Sequence, residues 1–262
     1  MRARLDVWLV ERGLAPSREK AQALVMAGRV RVDGRSAAKP GTAVPAGAQV
    51  EVVPGPEHVG RGAPKLEGAL DALGVDPAGR VAVDVGASTG GFTEVLLARG
   101  ARRVYAVDVG RAQLHERLRA DPRVVVRERV NARSLSTLDV PEPCDVASVD
   151  VSFISALKVL PALRAVLRPE ADVVVLVKPQ FEVGRTQVGR GGLVKDPALH
   201  AETLASVARG AAVELAYAIV GACPSPITGA EGNREFFLHL RPGGAGLADE
   251  EREALMRTVA RS

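Results

Sequence analysis

Residues 81–92 read Val-Ala-Val-Asp-Val-Gly-Ala-Ser-Thr-Gly-Gly-Phe. A run of strand character enters a turn carrying Gly86, Gly90 and Gly91, and residues 93–99 beyond it have helical character. Glycines at such a strand-to-helix turn let the backbone pass close to a bound nucleotide or an analogue of one. Outward from this turn, apolar runs at 103–107, 124–126, 145–149 and 173–177 alternate with helical patterns. Runs so continuously apolar do not face water on either side, and they predict an α/β fold with a parallel sheet covered by helices. Two later runs, 214–220 and 235–240, flank a Pro/Gly-rich connection and are expected as an antiparallel pair at one edge.

Asp108 lies 22 residues beyond Gly86, at the end of the second run, where a carboxylate accepts both hydroxyls of a ribose. Three cofactor readings compete for this turn. NAD is disfavoured, because Gly86 and Gly90-Gly91 do not complete GxGxxG and Ser88 occupies the close second approach. A P-loop is excluded by the absence of GK[ST]. S-adenosylmethionine fits, having no pyrophosphate to cradle, with Asp84 expected at its amino-acid end. The candidate cofactor residues are Asp84, Gly86, Ser88, Gly90, Gly91, Phe92 and Asp108, with Asn131 after the third run placed to meet adenine. Residues 86–90 also satisfy GxSxG, the nucleophile elbow of α/β-hydrolases, for which His200 or His239 would complete a triad. Position argues against that reading: the elbow normally follows several strands, and no HGGG-like segment precedes this one.

In a doubly wound sheet, chemistry gathers at the carboxyl ends of the strands. Those ends supply Asp150 after 145–149 and Lys178 after 173–177; Glu235 opens the last run, and Lys65 lies in the segment entering the domain. With their surrounding words KLEGAL, VDVSFIS, VKPQFEVGR and PITGAEGNREFF, these residues resemble the Lys-Asp-Lys-Glu tetrad of the FtsJ-like ribose methyltransferases. Residues 1–241 together resemble the TlyA family, whose members often carry the hemolysin label. The resemblance implies S-adenosylmethionine-dependent 2'-O-methylation of cytidine in 16S/23S ribosomal RNA. It implies catalytic roles for Lys65, Asp150, Lys178 and Glu235 on a Rossmann-like methyltransferase sheet. The chain departs from the family at 60–64, Gly-Arg-Gly-Ala-Pro, where an aromatic usually precedes the lysine.

The tetrad also has chemical sense of its own. A ribose hydroxyl is a poor nucleophile at neutral pH, so it needs a group that takes its proton or steadies the charge left behind. Lys178 can serve in either way, and much of the acceleration would come from in-line alignment. Other methyl acceptors fit less well. Amine methylation usually places an Asn/Asp-Pro-Pro-aromatic word where Asp150-Val151-Ser152-Phe153 stands, and Cys144, the candidate for C5 chemistry, begins its strand at the wrong end of the sheet.

The amino-terminal segment is organised differently. Leu5, Trp8 and Leu9 recur at helical spacing before Gly13, and Ala21, Leu24 and Val25 follow Ser17, an N-cap, before Gly28. Arg29-Val30-Arg31-Val32 then alternates into Asp33-Gly34, a hairpin signal, and a short meander closes at 49–53. Residues 1–39 hold nine Lys/Arg against four Asp/Glu, while the rest of the chain holds 26 against 27. A positive patch on a small module suggests a polyanionic partner. The words RLDVWLVERGLAPSREKAQALVMAGRVRVDGR and KPGT resemble the alpha-L RNA-binding motif. That implies phosphate contacts from Arg4, Arg12, Arg18, Lys20, Arg29 and Lys39. A second basic segment, with Arg185, Arg190 and Lys195 among four glycines, is too flexible and too polar for core, and reads either as a loop that clamps RNA beside Lys178 or as an ordinary mobile connection. Two prolines and a glycine at 54–56 mark the boundary. The expected organisation is an RNA-binding α+β domain at 1–55, a linker at 56–63 and the methyltransferase domain at 64–262.

Composition narrows the classes. With 47% apolar and 25% charged residues in 262, the chain builds a core, and at 3% aromatics that core is aliphatic. No apolar run reaches membrane length, and acidic residues interrupt the first 30 positions, so a cytoplasmic protein is expected, without a membrane partner. Two cysteines without CxxC or histidine spacing give no disulfide framework and no zinc site. The expected partner is ribosomal RNA or a ribosomal subunit. The competing classes are a membrane-active hemolysin and an RNA-binding protein with an inactive enzyme domain.

Overall fold

The computed structural model describes residues 3–26, 28–37, 39–45, 47–53, 58–184, 187–229 and 232–262. The chain divides into two compact units, Met1–Glu57 and His58–Ser262. The boundary expected at 54–56 falls outside the described residues, and residues 58–63, expected as linker, lie in the second unit.

In the first unit, α1 (Leu5–Glu11) and α2 (Arg18–Met26) precede strands β1 (Val30–Val32), β2 (Arg35–Ser36) and β3 (Val50–Val52) in a sheet of order β2-β1-β3. Leu5, Leu9, Ala21, Val25 and Val30 form its core. Trp8, expected inside with them, is only half-buried and carries the Arg12 guanidinium over its ring at 5.1 Å. Asp6 is fully buried: its carboxylate accepts from Arg4 and Arg18 at 3.0 Å and from Gln22 at 2.9 Å. Those hydrogen bonds, Arg4's above all, hold Asp6 well below the usual carboxylate range.

The second unit opens with α3 (Ala63–Leu73), which ends at Gly74 in the left-handed region. Strand β4 (Val81–Val85) leads into α4 (Gly91–Ala98), and β5 (Arg103–Asp108), α5 (Glu116–Arg119) and β6 (Val124–Glu128) follow. Strand β7 (Cys144–Val149), α6 (Leu160–Arg164), β8 (Leu167–Val177), α7 (Pro179–Glu182) and α8 (Pro197–Arg209) come next. Strands β9 (Ala218–Pro224) and β10 (Phe236–Arg241) and helix α9 (Asp249–Arg261) complete it. The sheet order is β6-β5-β4-β7-β8-β10-β9; β4 to β8 pair in parallel, and β10 runs antiparallel to both β8 and β9. The antiparallel edge pair is therefore present, with one correction: Gly210–Glu214 form a π turn, and the strand expected at 214–220 starts at Ala218. Both faces of the sheet are buried. Val81, Val83 and Val85 belong to one apolar cluster, Ala82 and Val104 to the other. The terminal α9 buries Met256 and Val259 and packs on α8.

Because β4 has β5 on one side and β7 on the other, successive connections leave it in opposite directions. The crevice this opens at the carboxyl ends of β4 and β7 is where open α/β sheets bind ligands.

Candidate active site

The turn after β4 is shaped by two glycines. Gly86 has φ +88°, and a Cβ there would stand 2.3 Å from the Asp150 carbonyl; Gly90 has φ +101°, with Leu118 filling the space of a side chain. These close approaches bring the ends of β4 and β7 together and start α4 at Gly91. Ser88 in the same turn also has positive φ, as does Phe153 across the crevice. Left-handed backbone in non-glycine residues costs energy and concentrates at working sites.

Two cavities meet here. The first, about 570 Å³, is lined by Gly86, Ser88, Asp108, Val109, Asn131 and Ile154, among others. Asp108 is held in place by backbone amides, Ser88 N–H at 2.8 Å and Gly110 N–H at 2.6 Å, leaving lone pairs toward the cavity. Asn131 accepts from Arg133 N–H at 3.1 Å. A carboxylate beside apolar walls and a side-chain amide suits an adenosine, so the residues present fit S-adenosylmethionine.

Two of the expected cofactor residues sit elsewhere. Asp84 is fully buried, accepting from Thr93 Oγ1 at 2.7 Å and from Ser148 Oγ at 2.9 Å, and it borders neither cavity. Burial pushes its carboxyl up to about 7, against the pull of these two hydroxyls. It ties β4, β7 and α4 together beneath the turn. Gly90 likewise borders neither cavity, its φ serving the turn.

The second cavity, about 650 Å³, is lined by Lys65, Asp150, Lys178 and Glu235, together with Gly91, Phe92, Ser152, Phe153, Gln180 and Phe181. It shares Gly86, Ser88, Asp150, Ser152 and Phe153 with the first. The four candidate catalytic residues thus face one space, as two ion pairs. Lys65 Nζ donates to Glu235 Oε2 at 2.5 Å, with both side chains buried. Lys178 Nζ stands 2.6 Å from Asp150 Oδ1 and donates to Ser152 Oγ at 2.9 Å, in a more open setting. The charge of Lys65 is thus balanced by its own partner, Glu235.

Sequence reasoning passed over several cavity residues. Ser152 follows Asp150 by two positions, the spacing that keeps side chains on one side of an extended chain, and that was its only signal. Phe153 is 87% exposed and packs its ring 5.0 Å from Phe181. Buried Asn233, in the GNREFF word, accepts from Val194 N–H and donates to Gly192 carbonyl, both at 2.9 Å. His200 adds a 2.7 Å bond to the Val194 carbonyl, so the loop read as mobile is pinned at residues 192–194. Arg190 is exposed on that loop, and Arg185 lies outside the described residues. His239 borders neither cavity: it is buried on β10 and bonded at 2.8 Å to Asp172, which also pairs with Arg80 and Arg241, so it is not placed as a base for Ser88.

In the first unit, Lys20 and Lys39 are exposed and enter no ion pair among the described residues. Arg4 and Arg18 are anchored on Asp6, and Arg29 Nε donates to the Val53 carbonyl.

Residues 58–242 match the FtsJ-like methyltransferase family and residues 3–50 match the S4 domain. The chain is 54% identical over 242 residues to the 16S/23S rRNA (cytidine-2'-O)-methyltransferase TlyA of Mycobacterium tuberculosis, covering 92% of this chain and 90% of that one. The chain belongs to the TlyA family of methyltransferases. Hemolysin A of Brachyspira hyodysenteriae is 38% identical over 90% of this chain and 99% of its own. A solved structure from Streptococcus thermophilus that bears the hemolysin name superposes with a TM-score of 0.73 at 38% identity, covering 99% of this chain and 96% of that one. Methyltransferase chemistry and the α/β sheet expected from the glycine turn are thus those of the family. Among the described residues, no helix is long and apolar enough to cross a membrane, and no cluster of ligating side chains is set to hold a metal.

Proposed function

We propose that this methyltransferase transfers a methyl group from S-adenosylmethionine to the ribose 2'-hydroxyl of a cytidine in ribosomal RNA. The observation that carries the reading is the pair of cavities sharing Gly86, Ser88, Asp150, Ser152 and Phe153, one suited to an adenosine and the other walled by two lysine–carboxylate pairs. When bound, S-adenosylmethionine supplies an electrophilic methyl group on a sulfonium sulfur, which departs with the C–S bonding pair. Asp108 would accept from the cofactor's ribose hydroxyls and Asn131 would meet its adenine, with Gly86 and Ser88 lining the passage to the second cavity. Lys178 meets the attacking 2'-oxygen. Paired with Asp150, Lys178 acts as a charged donor that orients the oxygen and steadies its developing negative charge, and the hydroxyl proton passes to solvent water at the open face of the cavity as the new O–C bond forms. Lys65 and Glu235 form a fixed wall opposite.

Ribosomal RNA and cytidine come to this chain from the name of its Mycobacterium tuberculosis relative. The S4 domain supports an RNA substrate, with Arg4, Arg12, Arg18, Lys20, Arg29 and Lys39 as its phosphate contacts; Arg185 and Arg190, in the basic segment that follows Lys178 in the sequence, are proposed as further ones. Incubation with labelled S-adenosylmethionine and purified ribosomal subunits, followed by nuclease digestion and mass spectrometry, tests the reading. Label is expected on 2'-O-methylcytidine. Label on a base, or none from a preparation that binds the cofactor, would overturn it.

A further inference from the structure

The two contacts on Lys178 differ in kind. Asp150 Oδ1 is 2.6 Å away, yet that oxygen accepts no aligned hydrogen bond among the described residues. Coulomb attraction fixes how near the ammonium lies but says little about where its N–H bonds point. The directional contact is the 2.9 Å bond to Ser152 Oγ. An ammonium has three tetrahedrally disposed N–H bonds, so holding one on Ser152 while another side of the group leans on Asp150 confines the third. Ser152 borders both cavities, at the passage where the attacking oxygen must lie. The neighbouring backbone keeps it there: Phe153, next in the chain, has φ +66°. Glu182 on α7 accepts from Ala156 N–H at 2.8 Å, tying this loop to the helix that begins after Lys178.

We propose that Ser152 is a positioning residue that aims Lys178 at the ribose oxygen. The inference rests on the role given above to Lys178 and adds that its direction, not only its charge, is set by a hydroxyl two residues beyond Asp150. Ser152 acts through Lys178 and needs no contact with the transferred group.

Full-length Ser152→Ala, Ser152→Thr, Lys178→Met and the Ser152→Ala/Lys178→Met double variant are to be assayed on ribosomal subunits, with cofactor affinity measured by calorimetry. Ser152→Ala is expected to lower kcat about 10- to 100-fold, on the scale of a misaligned catalytic group, with KM for subunits and Kd for S-adenosylmethionine within about twofold of wild type. Ser152→Thr restores most of kcat, because it returns the hydroxyl. In the Lys178→Met background, Ser152→Ala costs nothing further, since a residue acting through Lys178 has nothing left to aim. Wild-type kcat in Ser152→Ala overturns the proposal, as does a raised KM or Kd with kcat intact, or the same loss with and without Lys178. If Lys178→Met itself turns over at the wild-type rate, the reading of the site falls and takes the inference with it. If Lys178→Met is slow and Ser152→Ala is not, only the inference falls.

Discussion

The two lysine–carboxylate pairs of the cavity are alike in composition and differ in setting: the lysines are 9% and 11% exposed, but Asp150 is 23% exposed against 3% for Glu235. Lys65 and Glu235 come from the first helix of the unit and the threshold of β10, 170 positions apart, and close on each other out of reach of solvent. Lys178 and Asp150 stand at the ends of neighbouring parallel strands, keep partial access to water, and share their cation with a serine. A pair removed from water resists any change of partner, because separating it strands a desolvated charge. A pair whose carboxylate keeps some access to water exchanges contacts at a lower cost than one closed on both sides. The closed pair therefore belongs to the wall of the site and the open pair to its chemistry.

The strongest way to break this contrast is to remove one half of the closed pair. Glu235→Gln leaves the Lys65 ammonium buried without its counter-charge. The expected loss is about 3–5 kcal/mol of stability, the usual scale for a buried pair deprived of one partner. In calorimetry the transition of the second unit should fall by roughly 6–20 °C, at about 2–4 °C per kcal/mol for a unit of this size. An unchanged transition would show that Lys65 finds water or another acceptor and that the pair is not closed.

A second test reads the ground beneath the open pair. Asp84 sits under the turn with its carboxyl raised to about 7, chiefly by burial, and Asp150 adds to the rise through its own negative charge. Its ordinary value is 3.8. Between about pH 4 and pH 7 the unfolded chain has lost this proton while the folded chain keeps it, so folding takes up a proton and stability falls as pH rises. The contribution is intact below about 4, is lost through 7, and amounts to at most about 4 kcal/mol for a shift of this size. Asp84→Asn keeps an accepting oxygen for one of the two hydroxyls, offers the other an N–H to accept, and has no titrating proton. Its unfolding free energy relative to wild type should therefore climb from pH 5 to pH 8; a difference that stays flat would mean that Asp84 does not titrate in this range.

Smaller still is the stability cost of opening the open pair. Asp150→Asn should cost about 1 kcal/mol or less in unfolding experiments. The same change should lower methyl transfer to subunits by at least tenfold, because Lys178 then leans on nothing charged. A large fall in stability with transfer preserved would reverse the assignment of wall and chemistry.

How legible this was depended on the kind of signal each residue carried. The strands of the catalytic unit announce themselves as continuous aliphatic runs, and the turn after β4 as a glycine cluster, because a buried parallel sheet and a close backbone approach admit few other residues. Asp150 and Lys178 followed from the rule that strand ends carry chemistry. Pairing did not: nothing in the spacing of Lys65 and Glu235 says that they meet each other rather than Lys178. Asp84 was hard to read for a related reason: it stands at the entry to the glycine turn, where a cofactor contact is expected, and only the observed partners Thr93 and Ser148 reveal that it supports the turn from below. The loop at 187–195 looked mobile because its glycines are visible in the sequence, whereas the Asn233 amide that pins it comes from 39 positions away.

The contrast between closed and open charge recurs in the first unit and yields the smallest effect. Arg18 is anchored with Arg4 on the buried Asp6, while Lys20, two residues along the same helix, is exposed and enters no ion pair among the described residues. If both meet RNA, they do so on different terms: Arg18 offers a pre-set direction but shares its charge with Asp6, and Lys20 offers a whole charge with no direction. A point charge on a flexible stem binds phosphate through counterion release, without reading sequence. Lys20→Ala should therefore weaken binding to ribosomal RNA and to an unrelated RNA of equal length by the same few-fold factor. It should also flatten the dependence of log affinity on log salt by about one unit. Unfolding should not change, since Lys20 supports nothing. A loss confined to ribosomal RNA would instead make Lys20 a specific contact, and the line between anchored and open charge in this unit would have to be redrawn.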